Sequence, residues 1–282
     1  MVGEAGTTAE SSGPDYRHSH LHKGAEYDAA LGSDPFDAFL AIRERALLLR
    51  LLDRLFPRGL SRYLDFACGT GRITEVVAPF ATQSYGVDVS KTMLARAAPK
   101  CPRTTFLLRD MTREPAGIEP VQLVTAFRFF GNAQDALRQT ALKAIHDLLV
   151  PGGILIFDNH CNPWTLQHCL QRLRGRGDAE PGGPILDLDY WKLRRMLVDR
   201  GFSVVSMRGI GFWLFRARLM QSRILQSRVA AFLERMCRVS MLGPFSPAYI
   251  VVARKRLDGD VRIRQDSIDH NRWPSDASAR QM

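Results

Sequence analysis

Apolar positions along the chain follow two rhythms. From Phe36 to Phe56 they return on one side of a helix, at Phe36, Phe39, Leu40, Ala46, Leu47, Leu51 and Leu55. Asp34 and Pro35 supply an N-cap and a first-turn residue, and Pro57 and Gly59 end the pattern. Short apolar runs then alternate with helical stretches. Strands are predicted at Tyr63–Phe66, Gln83–Val87, Thr104–Leu108, Val121–Phe127 and Ile154–Phe157. Helices are predicted at Arg72–Phe80, at Lys91–Ala98 behind Ser90, and at Gln134–Leu149, stopped by Pro151-Gly152-Gly153. Strands that are apolar throughout belong in a parallel sheet covered on both faces.

Past Asn159 the rhythm changes. Trp164–Leu173 has helical spacing, Arg174–Pro184 is a Gly/Pro-rich loop, and Tyr190–Asp199 is a helix halted by Gly201. Phe202–Met207 and Tyr249–Ala253 are two further strands. Between them, roughly Phe215–Val239, six arginines interleave with Leu219, Ile224, Leu225, Phe232, Leu233 and Met236 in a basic amphipathic segment.

Composition narrows the setting. The 282 residues are 45% hydrophobic and 24% charged, as in ordinary globular domains. No run of about 18 apolar residues suggests a membrane span, and Met1–Gly13 lacks the apolar core of a secretory signal. The five cysteines, Cys68, Cys101, Cys161, Cys169 and Cys237, form no CxxC pair or zinc spacing, so reduced thiols in a cytoplasmic protein are expected. His18, His20 and His22 would share a strand face, but in a polar leader they read as chance, and no metal is expected. The formal charge of +10 is uneven: residues 1–163 balance, residues 164–256 carry +11, and the remainder carries −1. An excess of that kind suits an acidic small molecule, an anionic surface or RNA, or simply solvated helix faces.

The segment Tyr63-Leu64-Asp65-Phe66-Ala67-Cys68-Gly69-Thr70-Gly71-Arg72 joins a strand to a helix through a turn of small residues. Gly69 and Gly71 allow a ligand close to the backbone, and the following helix N-terminus presents free N–H groups. A second strand ends in Asp88, 17 residues after Gly71, near the spacing at which a carboxylate grips ribose hydroxyls. A dinucleotide fingerprint would read Gly-x-Gly-x-x-Gly. Here the pattern is Ala67-x-Gly69-x-Gly71 behind Asp65, whose charge would repel a pyrophosphate and suit an ammonium group.

These residues resemble class I S-adenosylmethionine-dependent methyltransferases. Asp65 to Gly71 is similar to that family's motif I, and Gly86-Val87-Asp88-Val89-Ser90 with Met93 to motif II. Leu108-Arg109-Asp110-Met111 matches the third-strand acidic position, and Leu149-Val150-Pro151-Gly152-Gly153 the Pro-Gly-Gly turn before the fifth strand. The resemblance spans Tyr63 to Asn159. It implies S-adenosylmethionine as cofactor, with Asp65 orienting the loop and approaching the methionine amino group, and Ala67, Gly69 and Gly71 giving close approach. It further implies Asp88 on the ribose hydroxyls, Asp110 on the adenine amino group, Met93 and Met111 beside the adenine, and Val89 and Phe127 as further cofactor-binding residues. Core packing is the alternative reading of both methionines.

Pattern and resemblance together predict an α/β, Rossmann-like, doubly wound fold. Its seven-stranded, mostly parallel sheet would carry helices on both faces and a helical cap insertion at about 212–245. A leader over 1–24 and a flexible tail over 257–282 would flank a methyltransferase domain over 25–256. That domain divides into an N-terminal helical lid (25–60, with Tyr27 a lid candidate), a cofactor-binding core (61–160) and a substrate-side half (161–256).

Methyl transfer asks mainly for alignment, because the sulfonium is a good leaving group. An oxygen or nitrogen acceptor can also need a base. Clefts of such sheets lie beyond the strand C-termini. That points to Arg128, Phe129 and Asn132 after the fourth strand, and to Asp158, Asn159 and His160 after the fifth. His160 is the candidate base. Arg128 could hold an anionic acceptor or brace its loop. Arg128-Phe129-Phe130-Gly131 stands where the family's nucleobase amino methylases carry Asn-Pro-Pro-Tyr, which counts against that substrate. The expected acceptor is a small molecule of sugar or natural-product type. RNA or protein methylation, and non-catalytic cofactor binding, are the alternatives. The arginine-rich segment could cap the acceptor, dock on a membrane or carrier, or join two copies as a homodimer.

Overall fold

The computed structural model describes Tyr16, residues 35–165, Cys169, Leu173, residues 187–210 and residues 243–257. Within these, α1 (Pro35–Leu55) precedes β1 (Leu60–Phe66), α2 (Thr74–Val77), β2 (Ala81–Asp88) and α3 (Lys91–Lys100). Then come β3 (Thr104–Leu108), β4 (Val121–Ala126), α4 (Asp135–Leu148), β5 (Leu149–Asn159), α5 (Tyr190–Asp199), β6 (Phe202–Ile210) and β7 (Ala248–Lys255). The seven strands form one sheet in the order β3-β2-β1-β4-β5-β7-β6. All neighbours are parallel except β7, which runs antiparallel to both β5 and β6. The expected doubly wound, mostly parallel sheet is therefore the one observed.

Alternation along the central strands builds the two layers. Tyr63, Leu123, Ile154, Ile156, Ile250 and Val252 face one core with Leu47, Leu48, Leu51 and Leu52 of α1. Their neighbours Leu64, Val124, Leu155, Phe157 and Val251 face the other, against Leu137, Leu142 and Ile145 of α4 and Leu193 and Leu197 of α5. Period-2 side chains on strands covered from both sides give this pattern. Leu40, Leu47, Leu48, Leu51 and Leu52 of α1 are 0–5% exposed, so this helix is a wall of the core. Tyr27 and the rest of residues 17–34 lie outside the described residues.

Two local expectations change. The helix predicted over Arg72–Phe80 is α-helical only at Thr74–Val77, and Ala78–Phe80 tightens to a 3₁₀ turn containing Pro79. Proline lacks an N–H and cannot continue the α ladder. Pro151-Gly152-Gly153 does not precede the fifth strand but lies inside it, where the register with β4 shifts between Val121 and Leu123. Gly152 has φ +75°, and a Cβ on Gly153 would sit 2.8 Å from the Val150 carbonyl. The glycines therefore allow a bulge within a continuous strand.

The helix predicted over Trp164–Leu173 lies largely outside the described residues, as do the basic segment at 211–242, His18, His20 and His22, and the tail from 258. No helix among the described residues is long and apolar enough to cross a membrane.

Candidate active site

The sheet order reverses direction between β1 and β4, the position at which open α/β sheets form a cleft beyond the strand C-termini. A partly open cleft lies there, at the place where open α/β sheets bind their ligands. Each strand end supplies part of it: Ala67 and Gly69 after β1, Asp88 and Val89 at β2, Asp110 and Met111 after β3, Phe127 and Arg128 after β4. Met93 of α3 also lines it, whereas Asp65, Gly71 and His160, equally marked in the sequence, do not.

The glycine loop is shaped by three residues with different duties. Gly69 has φ +54° and open space where a Cβ would stand, so it offers backbone to the cleft. Gly71, at φ +80°, does not line the cleft; a Cβ there would lie 3.0 Å from the Cβ of Ala97. Its lack of a side chain serves the packing of α3. Ala67, where the family pattern has glycine or alanine, also adopts a left-handed φ of +52°.

Asp65 stands behind the loop and off the cleft wall, 2% exposed. Its oxygens accept from the hydroxyls of Thr74 at 2.6 Å and Thr125 at 2.7 Å, and Thr125 is in turn 2.6 Å from the Tyr63 hydroxyl. Burial raises its pKa to about 6, against the pull of those two hydroxyls. Asp88 is on the wall. One oxygen accepts from the Gly69 N–H at 2.9 Å and the other from the Ser90 N–H at 2.8 Å. Burial raises its pKa too, opposed by these backbone donors. The residue thus joins the first loop to the start of α3, whose N-cap is Ser90. Asp110 accepts from the Thr112 N–H at 2.9 Å, which fixes the turn after β3.

Cys68, inside the loop, is buried, and its sulfur lies 3.1 Å from where a Gly86 Cβ would be. Burial pushes its thiol pKa up, so it sits in the loop as a neutral packing thiol. The described cysteines, Cys68, Cys101, Cys161 and Cys169, are free thiols.

After β4 the chain turns at Arg128, a non-glycine residue with φ +60°. Its N–H donates to Asp158 Oδ1 at 2.5 Å, and its carbonyl accepts from Asn132 Nδ2 at 2.7 Å and from the Tyr16 hydroxyl at 2.9 Å. Its guanidinium Nε lies 3.7 Å from Asp158 Oδ2. His160 Nδ1 is 3.2 Å from the same Oδ2. His160 does not line the cleft. Burial opposes its charge, but Cys161 and the Asp158 carboxylate beside it outweigh that and raise its pKa to about 9. Asp158 stays low: burial would raise it, and the contacts with His160 and Arg128 prevail.

Sequence reasoning missed several cleft residues. Tyr16 came from a polar leader with no periodicity to mark it, while Phe66, Arg109 and Thr112 each adjoin a residue that was marked. Thr74 and Thr125, which hold Asp65, carry no motif.

Residues 64–153 match the family model described as a methyltransferase domain. The chain is 31% identical over 198 residues to trans-aconitate 2-methyltransferase of Pseudomonas aeruginosa, covering 67% of this chain and 70% of that one. It is 28% identical over 176 residues to an uncharacterised methyltransferase of Geobacillus kaustophilus, covering 60% of this chain and 81% of the relative. In fold it is similar to magnesium protoporphyrin IX methyltransferase from Synechocystis, solved with S-adenosylhomocysteine. That likeness has a TM-score of 0.59 at 15% identity and covers 85% of this chain and 97% of the other. The sheet order, the glycine loop and the acid at the end of β2 define a methyltransferase of the α/β type. The chain belongs to the class I S-adenosylmethionine-dependent methyltransferases, enzymes that take their methyl group from that cofactor.

Proposed function

We propose that the cleft holds S-adenosylmethionine and presents its methyl group to an oxygen or nitrogen of a small, acidic acceptor. The observation that carries this is the convergence of Gly69, Asp88, Asp110 and Arg128 on the walls of one cleft. The open side of Gly69 suits a ligand lying against backbone, as the cofactor requires. Ala67 and Gly69 would take its methionine half, Asp88 the ribose hydroxyls, and Asp110 the adenine amino group. Val89, Met93, Met111 and Phe127 would enclose the ring. Asp65 and Gly71 serve from behind, the one bracing the loop and the other admitting α3. The cofactor, when bound, supplies an activated methyl on a positively charged sulfur.

On the acceptor side, Arg128 is the cleft's cation nearest the end of β4 and would anchor an acid. His160, protonated against Asp158, steadies that carboxylate instead of removing a proton. The named substrate of the Pseudomonas relative is an acid, which supports the same class here. RNA or protein methylation rests on the basic 164–256 half, whose arginine-rich segment lies outside the described residues. Homodimer formation through that segment stays a proposal on the same footing.

Calorimetric titration with S-adenosylmethionine tests the site. Asp88→Ala is expected to weaken binding at least tenfold, since a buried acceptor of two backbone N–H groups is lost at the same time as a ligand partner. Unchanged affinity would sink the assignment.

A further inference from the structure

A second, partly open cleft lies at the other end of the sheet, where β2 and β3 begin and α3 ends. Ser84 and Thr104 are paired across these strands, and their hydroxyl oxygens stand 2.8 Å apart in its lining. Two hydroxyls bring two hydrogens, and the bond between them uses one. The other hydrogen has no acceptor among the described residues, although Ser84 is only 6% exposed. A buried donor left over in this way calls for an oxygen from outside the chain. Pro79 and Pro102 give the same cleft apolar walls. Its charged residues are Lys100 and Arg103 against Glu75 alone, so the lining is net positive. Arg103, exposed at the turn into β3, makes no hydrogen bond or ion pair among the described residues.

We infer that this cleft binds a small organic oxyanion, and that its occupancy tightens the binding of S-adenosylmethionine through α3. A guanidinium fork and a hydroxyl donor match the oxygens of a phosphate or carboxylate, and the prolines suit an apolar body attached to it. One helix of ten residues, about 15 Å long, touches both clefts. At its start, Ser90 N–H is held by Asp88, and Met93 lines the cofactor cleft. At its end, Lys100 and Cys101 line the second cleft. That end also packs on the glycine loop from behind. Cys101 Sγ lies 4.0 Å from the Gly71 carbonyl, and Ala97 Cβ lies 3.0 Å from where a Gly71 Cβ would stand. Pro99 removes one helical hydrogen bond from this last turn, so the turn is held more by its surroundings than by its own ladder. A ligand seated against it would order α3 before the cofactor arrives, which gives positive coupling between the two sites. The inference is independent of which acceptor is methylated.

The test titrates the full chain calorimetrically with phenyl phosphate, with benzoate, and with benzyl alcohol as the uncharged control. Saturable binding of phenyl phosphate or benzoate is expected, and the tighter of the two assigns the oxyanion as phosphate or carboxylate. Arg103→Gln, a change at an exposed residue, should weaken that binding about tenfold or more, the scale of a lost charge-assisted pair. Thr104→Val, which keeps the shape and removes a hydroxyl, should weaken it about three- to tenfold. S-adenosylmethionine is then titrated with and without a saturating amount of the tighter probe. Its affinity should rise roughly fivefold in the wild type, the lower end of ordinary coupling between sites, and should not change in Arg103→Gln. No saturable binding of either anion, equal binding of benzyl alcohol, or binding indifferent to Arg103→Gln overturns the inference. Cofactor affinity that is unchanged or weakened by the bound probe overturns it as well, while the proposed function stands.

Discussion

The hydroxyl of Tyr16 donates to the backbone carbonyl of Arg128 at 2.9 Å, joining residues 112 positions apart at the cleft. The Tyr16 ring meets Phe129 edge-on, with centroids 5.8 Å apart. An N-terminal residue is thus part of the wall, and it also helps fix the strained turn that aims Arg128. Tyr16→Phe keeps the ring and removes the donor, while Asn132 still satisfies the carbonyl. Acceptor turnover should fall by about three- to tenfold, the worth of one hydrogen bond, with little change in Tm. Tyr16→Ala should cost more, in cofactor affinity as well as turnover. Wild-type kinetics in Tyr16→Ala would show that the contact has no part in function.

Asp88 offers a sharper test than removal of its side chain. Each of its oxygens accepts from a backbone N–H, Gly69 on one side and Ser90 on the other. Asparagine has one acceptor oxygen, so in Asp88→Asn an amide NH₂ would face one of those donors. A buried donor left unpaired costs about 1–3 kcal/mol. Asp88→Asn should therefore bind S-adenosylmethionine nearly as poorly as Asp88→Ala, and its Tm should fall. Retention of affinity in the asparagine variant would mean that ribose recognition alone explains the residue.

Asp65 links pH to stability. Its pKa rises from the ordinary carboxylate value of 3.8 to about 6 because the group is buried. The native state then holds the proton more tightly than the unfolded chain between roughly pH 4 and 6. Stability from this residue is greatest below that window, falls as pH rises through it, and levels off above. A shift of roughly two units corresponds to about 3 kcal/mol. Asp65→Asn fits the same space, because the hydroxyls of Thr74 and Thr125 can turn to accept. Measured against wild type, the stability of Asp65→Asn should rise from pH 4 to pH 7. A pH-independent difference between the two proteins would contradict this.

Alternating side chains made the sheet readable. Tyr63 and Leu64, or Ile154 and Leu155, alternate between two cores, and such strands leave continuous apolar runs in the sequence. The cofactor side was readable because backbone geometry demands rare residues at fixed intervals: Gly69 in the loop, and Asp88 where β2 ends. Duties within that motif were not readable. Gly69 faces the cleft and Gly71 faces Ala97, yet the sequence presents them as equals. The acceptor side depends on long-range contacts, such as Tyr16 with Arg128, that no spacing rule records. His160 looked like a base because its intrinsic pKa lies near neutrality. Asp158 and Cys161 change that pKa, and only the fold brings the three together in this geometry.

Arg138 was likewise invisible in the sequence, an arginine on the amphipathic helix α4. It is fully buried. Its Nε donates to the Phe130 carbonyl at 2.7 Å, Nη1 donates to Asp135 at 2.7 Å, and Nη2 lies 2.8 Å from Asp187. Lys192 of α5 closes the set, 2.6 Å from Asp135 and 3.0 Å from Asp187. Burial would raise the Asp187 pKa, but the contacts with Arg138 and Lys192 hold it below the usual carboxylate value. One guanidinium therefore ties three pieces together: the turn after β4 that carries Arg128, the start of α4, and the approach to α5. Arg138→Met preserves much of the volume but leaves the Phe130 carbonyl without this donor and Asp187 without its buried cation. The carboxylate partners are 39–51% exposed, so the cost lies mainly in the buried Phe130 carbonyl left without its donor, about 1–3 kcal/mol. The variant should unfold at markedly lower denaturant concentration, with acceptor turnover reduced further than cofactor affinity, because the Arg128 turn loses its support. Arg138→Lys restores charge without the three-way fork and should recover only part of the stability. Wild-type stability in Arg138→Met would show that the network adds nothing beyond apolar packing.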